Sequence, residues 1–341
     1  MSNNLMNDCK IKIENKINEI LDNEIKKYED NEFLKSSIKE LKRLSQGGKR
    51  VRGYLVKLGQ MLYGKDDDSY VDIASALEIF QTAILIHDDI IDNADKRRGM
   101  DTINAKYKGQ LGIAKGICIG DLGFFISYRI INNSNINSKV KDEIIKVYSK
   151  TLHNTVNGEI IDVELPLKDI NYHKMMYEKL IYDIYINKTA WYTIIGPMLI
   201  GASSADASDE SKNKLIEAGI NLGIAFQIKD DLLGLYSDTL TMGKTLNDIK
   251  EGKQTIIYKY AIDNASDEEL EIIKKYYGRS EITIEDSKKI TNLFEKLGAK
   301  QNALKLVEEY TNKGIDIINS MDLQNKGLFV EFANYLLNRN N

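Results

Sequence analysis

The sequence predicts an all-α fold, a single large helical bundle, and three observations carry that expectation. The 341 residues include only two prolines, Pro166 and Pro197, where ordinary chains have roughly 5%, and proline is the residue that long helices exclude. Apolar residues recur at three- and four-residue steps, and strict alternation is rare. The interruptions between these stretches are short and have the composition of helix ends.

In chain order, Ile13, Ile17, Ile20 and Leu21 share one face of the opening segment, while Lys10, Lys12, Glu14 and Lys16 fall largely elsewhere. Breaks are expected at residues 45–48, 64–69, 132–138, 203–211 and 237–243. Near the other end Ala303, Leu306, Val307, Tyr310 and Ile317 restore the pattern. No repeat, low-complexity linker or shift in composition divides the chain. Residues 1–341 therefore read as one domain of ten or more helices.

Composition narrows the function. With 47 basic and 51 acidic residues the net charge is −4, which gives no electrostatic case for nucleic acid. Two cysteines, Cys9 and Cys118, suit a reducing compartment. With His87, His153 and His173 they match no familiar zinc spacing. The charged first 30 residues lack the apolar core of a signal peptide. The longest uncharged stretch, residues 189–205, includes Gly196 and Pro197 and falls short of the roughly 20 apolar positions of a membrane span. It is expected to be a buried helix, with no transmembrane segment and a cytoplasmic location.

Two acidic helix ends stand out. In residues 76–95 an apolar helix carries Asp88, Asp89 and Asp92 at its C-terminal end. At about 100° per residue, Leu77, Gln81, Ile84, Asp88 and Asp92 fall on one stripe. Carboxylates sharing a stripe with core positions are costly unless something neutralises them; the plain alternative is a solvated helix end. A second apolar helix, residues 221–235, places Asp230 and Asp231 just after Gln227. Facing each other across a cleft, the two clusters would supply hard oxygen ligands for Mg²⁺, which takes few protein ligands and shares phosphate oxygens.

Cations punctuate the same regions. Gly47-Gly48-Lys49-Arg50-Val51-Arg52 reads as a turn entering a helix, with Lys49 and Arg52 one turn apart on one side. Arg97-Arg98-Gly99 follows the first acidic cluster, Lys188-Thr189 opens the uncharged stretch, and Lys244 and Lys253 follow the second cluster. Any one such run is ordinarily a solvated face. In this order they describe a charged cleft for two polyanions.

The pieces G-G-K-R-V-R (47–52), H-D-D-I-I-D-N-A-D-K-R-R-G (87–99), G-E-I-I-D (158–162), K-T-A-W-Y (188–192), F-Q-I-K-D-D-L-L-G (226–234) and G-K-T-L-N-D-I-K-E-G-K-Q-T (243–255) resemble, in order, the trans-isoprenyl diphosphate synthases, or polyprenyl synthetases. The resemblance implies an all-α homodimer whose helices surround an apolar cavity. It also implies Mg²⁺-dependent condensation of isopentenyl diphosphate with an allylic diphosphate (geranyl, farnesyl or geranylgeranyl). By it, Asp88, Asp92 and Asp230 ligate the metal, supported by Asp89 and Asp231. Arg97, Lys188, Lys244 and Lys253 grip the allylic diphosphate; Lys49, Arg52, Arg98 and Gln81 hold that of isopentenyl diphosphate; Thr189, Tyr192 and Gln227 flank the carbocation.

This chain departs from the family pattern at four positions: Gly234 replaces a frequent third Asp, Gln81 a His, Glu159 a Gln, and Gly53 a Pro. Asp248 is a candidate for part of the role lost at Gly234. Members with short products carry a bulky aromatic four or five residues before the first cluster. Here those positions are Ile84 and Ala83, which leaves the pocket open at that level. Phe80 could floor it one layer down, the alternative being plain core packing. The expected product is about C20 to C30. Competing readings are a class I terpene cyclase, a subunit of a two-component synthase and a non-enzymatic helical scaffold. The basic residues Lys49, Arg52 and Arg98 argue against the cyclase, and the two intact acidic pairs against a non-catalytic subunit.

Overall fold

A computed structural model describes residues 2–175, 178–236, 248–279 and 281–337. The expected break at 237–243 lies outside them. The chain divides into two compact units, Met1–Tyr148 with Pro197–Ser208, and Ser149–Gly196 with Asp209–Asn341. The described residues are helical apart from loops and one two-residue hairpin.

The first unit contains α1 (Ser2–Lys27), α2 (Glu32–Leu44), α3 (Val51–Leu62), α4 (Val71–Ile91), α5 (Ile103–Tyr107) and α6 (Gly109–Asn133). It also takes in the start of α7 (Ser138–Glu164) and most of α10 (Gly196–Ser204). The expected stripe on α1 is its inner face: Ile13, Ile17 and Leu21 are fully buried. Asn31 caps α2 by accepting from the Leu34 amide at 3.1 Å, and Thr102 caps α5 by accepting from Ala105.

Helix α6 packs against α4 along a row of glycines. A Cβ on Gly120 would collide with the His87 ring, and one on Gly123 would lie 2.8 Å from Ala83 Cβ. The row lets the two backbones approach behind the acidic end of α4. Among the described residues, two helical segments, Asp68–Ile91 and Gly109–Asn133, are long and apolar enough to cross a membrane by length and composition. Neither coincides with residues 189–205, the longest uncharged stretch of the sequence.

The second unit contains the rest of α7, α8 (Ile170–Met175), α9 (Lys179–Ile184), a π-helical stretch (Tyr185–Ile195) and α11 (Asp209–Tyr236). It continues with α12 (Ile256–Asn264), α13 (Asp267–Tyr276), α14 (Ile284–Lys296), α15 (Ala299–Ser320) and α16 (Lys326–Leu337). Ile181, Ile228, Ile249, Ile257, Phe294 and Ala303 form its centre. Ser266 with Glu269 and Thr283 with Asp286 build reciprocal capping boxes on α13 and α14.

His173 is buried in this unit, with Nδ1 3.0 Å from the Tyr258 hydroxyl and Nε2 3.0 Å from the Leu165 carbonyl. A carbonyl can only accept, so Nε2 carries the proton and Nδ1 accepts from Tyr258. Burial pushes the imidazole below its ordinary value. The unfolded chain therefore binds this proton more readily than the folded one. The stability at stake is present above the unfolded value of about 6.5 and is lost as pH falls below it. Urea midpoints at pH 7.5 and 5.5 should drop more in the wild type than in His173→Gln. Equal drops would show that the group does not couple to folding.

Candidate active site

The first acidic cluster sits where the sequence places it, at the end of α4, with Asp92 as the C-cap. Of the stripe Leu77, Gln81, Ile84, Asp88 and Asp92, all but Leu77 are partly exposed. Asp89, off the stripe, is 1% exposed. Arg97 forks across the pair: its Nη2 donates to Asp88 Oδ2 at 2.8 Å and its Nε to Asp89 Oδ1 at 2.6 Å.

The fork is aimed by a hairpin, β1 (Lys96–Arg97) and β2 (Met100–Asp101), paired Lys96↔Asp101 and Arg97↔Met100. The two turn residues, Arg98 at φ 52° and Gly99 at φ 77°, both have the left-handed backbone that tight two-residue hairpins need. Thr102 Oγ1 donates to the Ala94 carbonyl at 2.7 Å and ties the hairpin back to the helix end. Burial, opposed by Arg97, pushes the Asp89 carboxyl up to about 6, and its Oδ2 is buried without a hydrogen-bond partner among the described residues.

A cationic nest lies in the same unit. Helix α3 begins at Val51, so Lys49 precedes it and stands exposed while Arg52 is in its first turn. This corrects the expectation that the two share a helical face. The left-handed residue between them is Arg50, at φ 55°. Its buried guanidinium donates to the Ser45 carbonyl at 2.5 Å and lies 3.7 Å from buried Glu78, which accepts from the Gly53 amide at 2.9 Å. Arg98 donates to the Gln46 carbonyl at 3.1 Å. Burial and then Arg50, with Arg97 and Arg52 adding, push Arg98 below its ordinary value while Glu78 opposes them. Guanidiniums crowded this way are suited to a polyanion. Arg50 and Glu78 were missed as site residues, although a lone acid on the apolar α4 sequence was a usable clue.

In the second unit the π-helical stretch carries Lys188, Thr189 and Tyr192. Such widened turns are rare and cluster at functional sites. Lys188 Nζ is 2.5 Å from Asp162 Oδ2 and 2.8 Å from Glu159 Oε2. Burial alone would raise Asp162; Lys188 and Lys253 outweigh it and hold the carboxyl below the usual range. Lys253 also pairs with Glu251 at 3.3 Å.

Thr189 Oγ1 donates to Gln227 Oε1 at 2.5 Å, and Gln227 Nε2 donates to Asp231 Oδ1 at 2.8 Å. Asp231 is buried beside the partly exposed Asp230, and burial pushes its carboxyl up to about 7. A Cβ at Gly234 would collide with the Asp248 carboxylate. The space opened by the missing third Asp is thus filled by the residue proposed to stand in for it. Lys244 lies outside the described residues.

Three residues expected to bear on product length separate. Ile84 stays partly exposed on the stripe, whereas Ala83 is buried against Gly123. Phe80 is buried, with ring centroids 5.5 Å from Phe124 and 5.4 Å from Tyr148.

Among the described residues no three His, Cys, Asp or Glu side chains form a ready metal cage. The donor chemistry fits a hard cation that shares its shell with phosphate: carboxylates only, with the Asp89 oxygen buried and unmatched.

Residues 33–294 match the family described as polyprenyl synthetase. A short chain isoprenyl diphosphate synthase from Methanocaldococcus jannaschii is 32% identical over 277 residues, 81% of this chain and 80% of that protein. A geranylgeranyl diphosphate synthase from Sulfolobus acidocaldarius is 29% identical over 314 residues, 91% and 90% of the two chains. The crystal structure of a geranylgeranyl pyrophosphate synthase from Corynebacterium glutamicum, complexed with isoprenyl diphosphate and magnesium, superposes with a TM-score of 0.87 at 25% identity, covering 96% of this chain and 97% of that one. The chain belongs to the polyprenyl synthetase family and is a trans-prenyltransferase, joining isopentenyl diphosphate to an allylic diphosphate to give a longer prenyl diphosphate.

Proposed function

We propose that this enzyme is Mg²⁺-dependent, starts from geranyl, farnesyl or geranylgeranyl diphosphate, and releases an all-trans product of about C20 to C30. The observation that carries the reading is the pairing of each acidic helix end with a fixed polar partner. Arg97 is forked over Asp88 and Asp89, and Gln227 bridges Asp231 to Thr189.

Asp88, Asp92 and Asp230 would hold Mg²⁺, with Asp89 and Asp231 orienting them, and the bound metal would neutralise the leaving diphosphate. Arg97, Lys188, Lys244 and Lys253 stabilise the negative charge that grows on that group as the allylic C–O bond breaks. Thr189, Tyr192 and Gln227 turn oxygen atoms toward the resulting carbocation. Lys49, Arg52, Arg98 and Gln81 hold isopentenyl diphosphate so that its double bond attacks in line. The proton released after attack goes to the departed diphosphate, so no separate general base is required.

Residues 1–341 act as one catalytic domain. A homodimer located in the cytoplasm is the proposed working form; the dimer is supported by the exposed apolar face of α6, where Leu111, Ile117, Phe125 and Tyr128 lie in one sector.

The test is incubation of the purified protein with Mg²⁺, labelled isopentenyl diphosphate and farnesyl diphosphate, followed by lipid extraction and sizing. A longer prenyl diphosphate is expected. A hydrocarbon formed without uptake of label, or product only after a second protein is added, would overturn the reading. Phe80→Ala should shift the product toward longer chains, because it opens a ring-sized space beneath the stripe. The same change should cost about 3–5 kcal/mol of stability, so the assay belongs well below the melting temperature. An unaltered product distribution would assign Phe80 to packing alone.

A further inference from the structure

Tyr185 opens the π-helical stretch and is 2% exposed. Its hydroxyl lies 2.5 Å from Asp231 Oδ2 and 3.0 Å from the backbone nitrogen of Ile256. A peptide amide can only donate, so the hydroxyl accepts from Ile256 and its single proton goes to Asp231. Asp231 Oδ1 accepts from Gln227, and Gln227 Oε1 accepts from Thr189. Four hydrogen bonds thus run without a branch from the first turn of α12 to Thr189.

We propose that Tyr185 is a positioning residue for prenyl transfer: it fixes the carboxylate plane of Asp231 and, through Gln227, the orientation of Thr189. The proposal rests on the reading above that Asp231, Gln227 and Thr189 serve the allylic end. The phenol is suited to the task. Its ring is buried edge-to-face against Tyr182, with centroids 6.2 Å apart, and the oxygen is tied to a backbone amide at a helix start. Without the oxygen, the Gln227 bond is the one hydrogen bond left to the Asp231 carboxylate among the described residues, and both side chains can rotate. Small errors of placement at a reacting centre can cost about 10²-fold in rate.

The experiment compares wild type, Tyr185→Phe, Asp231→Asn and the double variant in the full-length protein. Tyr185→Phe keeps the ring and removes one atom. It should lower kcat about 10- to 100-fold and leave KM for isopentenyl diphosphate within about twofold. In the Asp231→Asn background the same change should have little further effect on kcat, because the link is already altered. Independent, multiplying losses would show that Tyr185 acts elsewhere, by stability alone.

Should Tyr185→Phe fail to fold, the other bond of the same hydroxyl can be cut. Ile256 is the first residue of α12 behind the extended cap Thr255, a position that tolerates proline. Ile256→Pro deletes the amide donor, and Ile256→Ala trims the side chain while keeping it. kcat lower in the proline than in the alanine variant supports the assignment, and equal kcat overturns it. A wild type that makes no product defeats the prenyl-transfer reading itself. An active wild type alongside a Tyr185→Phe variant within twofold of it defeats only the role of Tyr185.

Discussion

Asp88→Ala should lower turnover by about 10³-fold or more while the protein stays folded. The size follows from the task proposed for this carboxylate, which is to hold the metal that would neutralise the leaving diphosphate. Removing a single preorganised donor to a developing oxyanion already costs about 10²–10³. Retention of the fold follows from the geometry. Asp88 is partly exposed in the last turn of α4, and Arg97 keeps its 2.6 Å bond to Asp89 when the Asp88 contact is lost. Steady-state kinetics at saturating isopentenyl diphosphate, paired with thermal denaturation, would check both halves. Near-normal turnover would remove Asp88 from the metal assignment, and collapse of the fold would make it structural.

Lys188→Met should be costly in two ways at once. The variant loses an ammonium proposed to face the allylic diphosphate, worth about 10²-fold in kcat/KM or more. It also leaves Asp162 and Glu159 without their shared cation. Breaking a fully buried pair costs about 3–5 kcal/mol. Here the Lys188 and Asp162 side chains retain 22% and 15% exposure, so about 2 kcal/mol is the discounted expectation.

The pH dependence has a definite sign. Asp162 is held below its unfolded value, so the stabilisation is present above the usual carboxylate pKa of about 3.9 and disappears as pH falls through the lower folded value. Between pH 5 and pH 3 the wild type should therefore lose more stability than Lys188→Met. Adding Asp162→Asn to the variant should recover stability without recovering activity. Recovery of both would mean that Lys188 serves only to neutralise its neighbours.

Helix periodicity made the bundle legible, and the composition of α4 and α11 exposed the two acidic ends, because a carboxylate on an apolar stripe is visible as a conflict in one dimension. What one dimension does not carry is which charge meets which. Arg97 pairs with residues eight and nine positions back across a hairpin whose turn depends on Arg98 adopting a left-handed backbone, a conformation its side chain does not advertise. Lys188 finds Asp162 on a different helix, and Glu159, noted only as a departure from a family pattern, turns out to share that lysine. Phe80 and Ile84 sit one turn apart on α4 and look interchangeable by spacing. Neighbouring helices separate them, Phe124 of α6 and Tyr148 of α7 sealing Phe80 while Ile84 stays partly open. Residues 189–205 were legible as buried, yet the widened winding of their first half was not, since its residue types suit an ordinary α-helix equally well.

That winding has an evolutionary corollary. The coil from Tyr185 to Ile195 takes up more residues per turn than the rods on either side, so the angular phase of everything after it depends on its residue count. Losing a single residue there would let it relax into a regular helix and rotate the lysine and threonine out of phase with the tyrosine that begins the coil. Length variation among descendants of this gene should accordingly gather in the loops between helices and spare this segment, even where individual side chains within it drift.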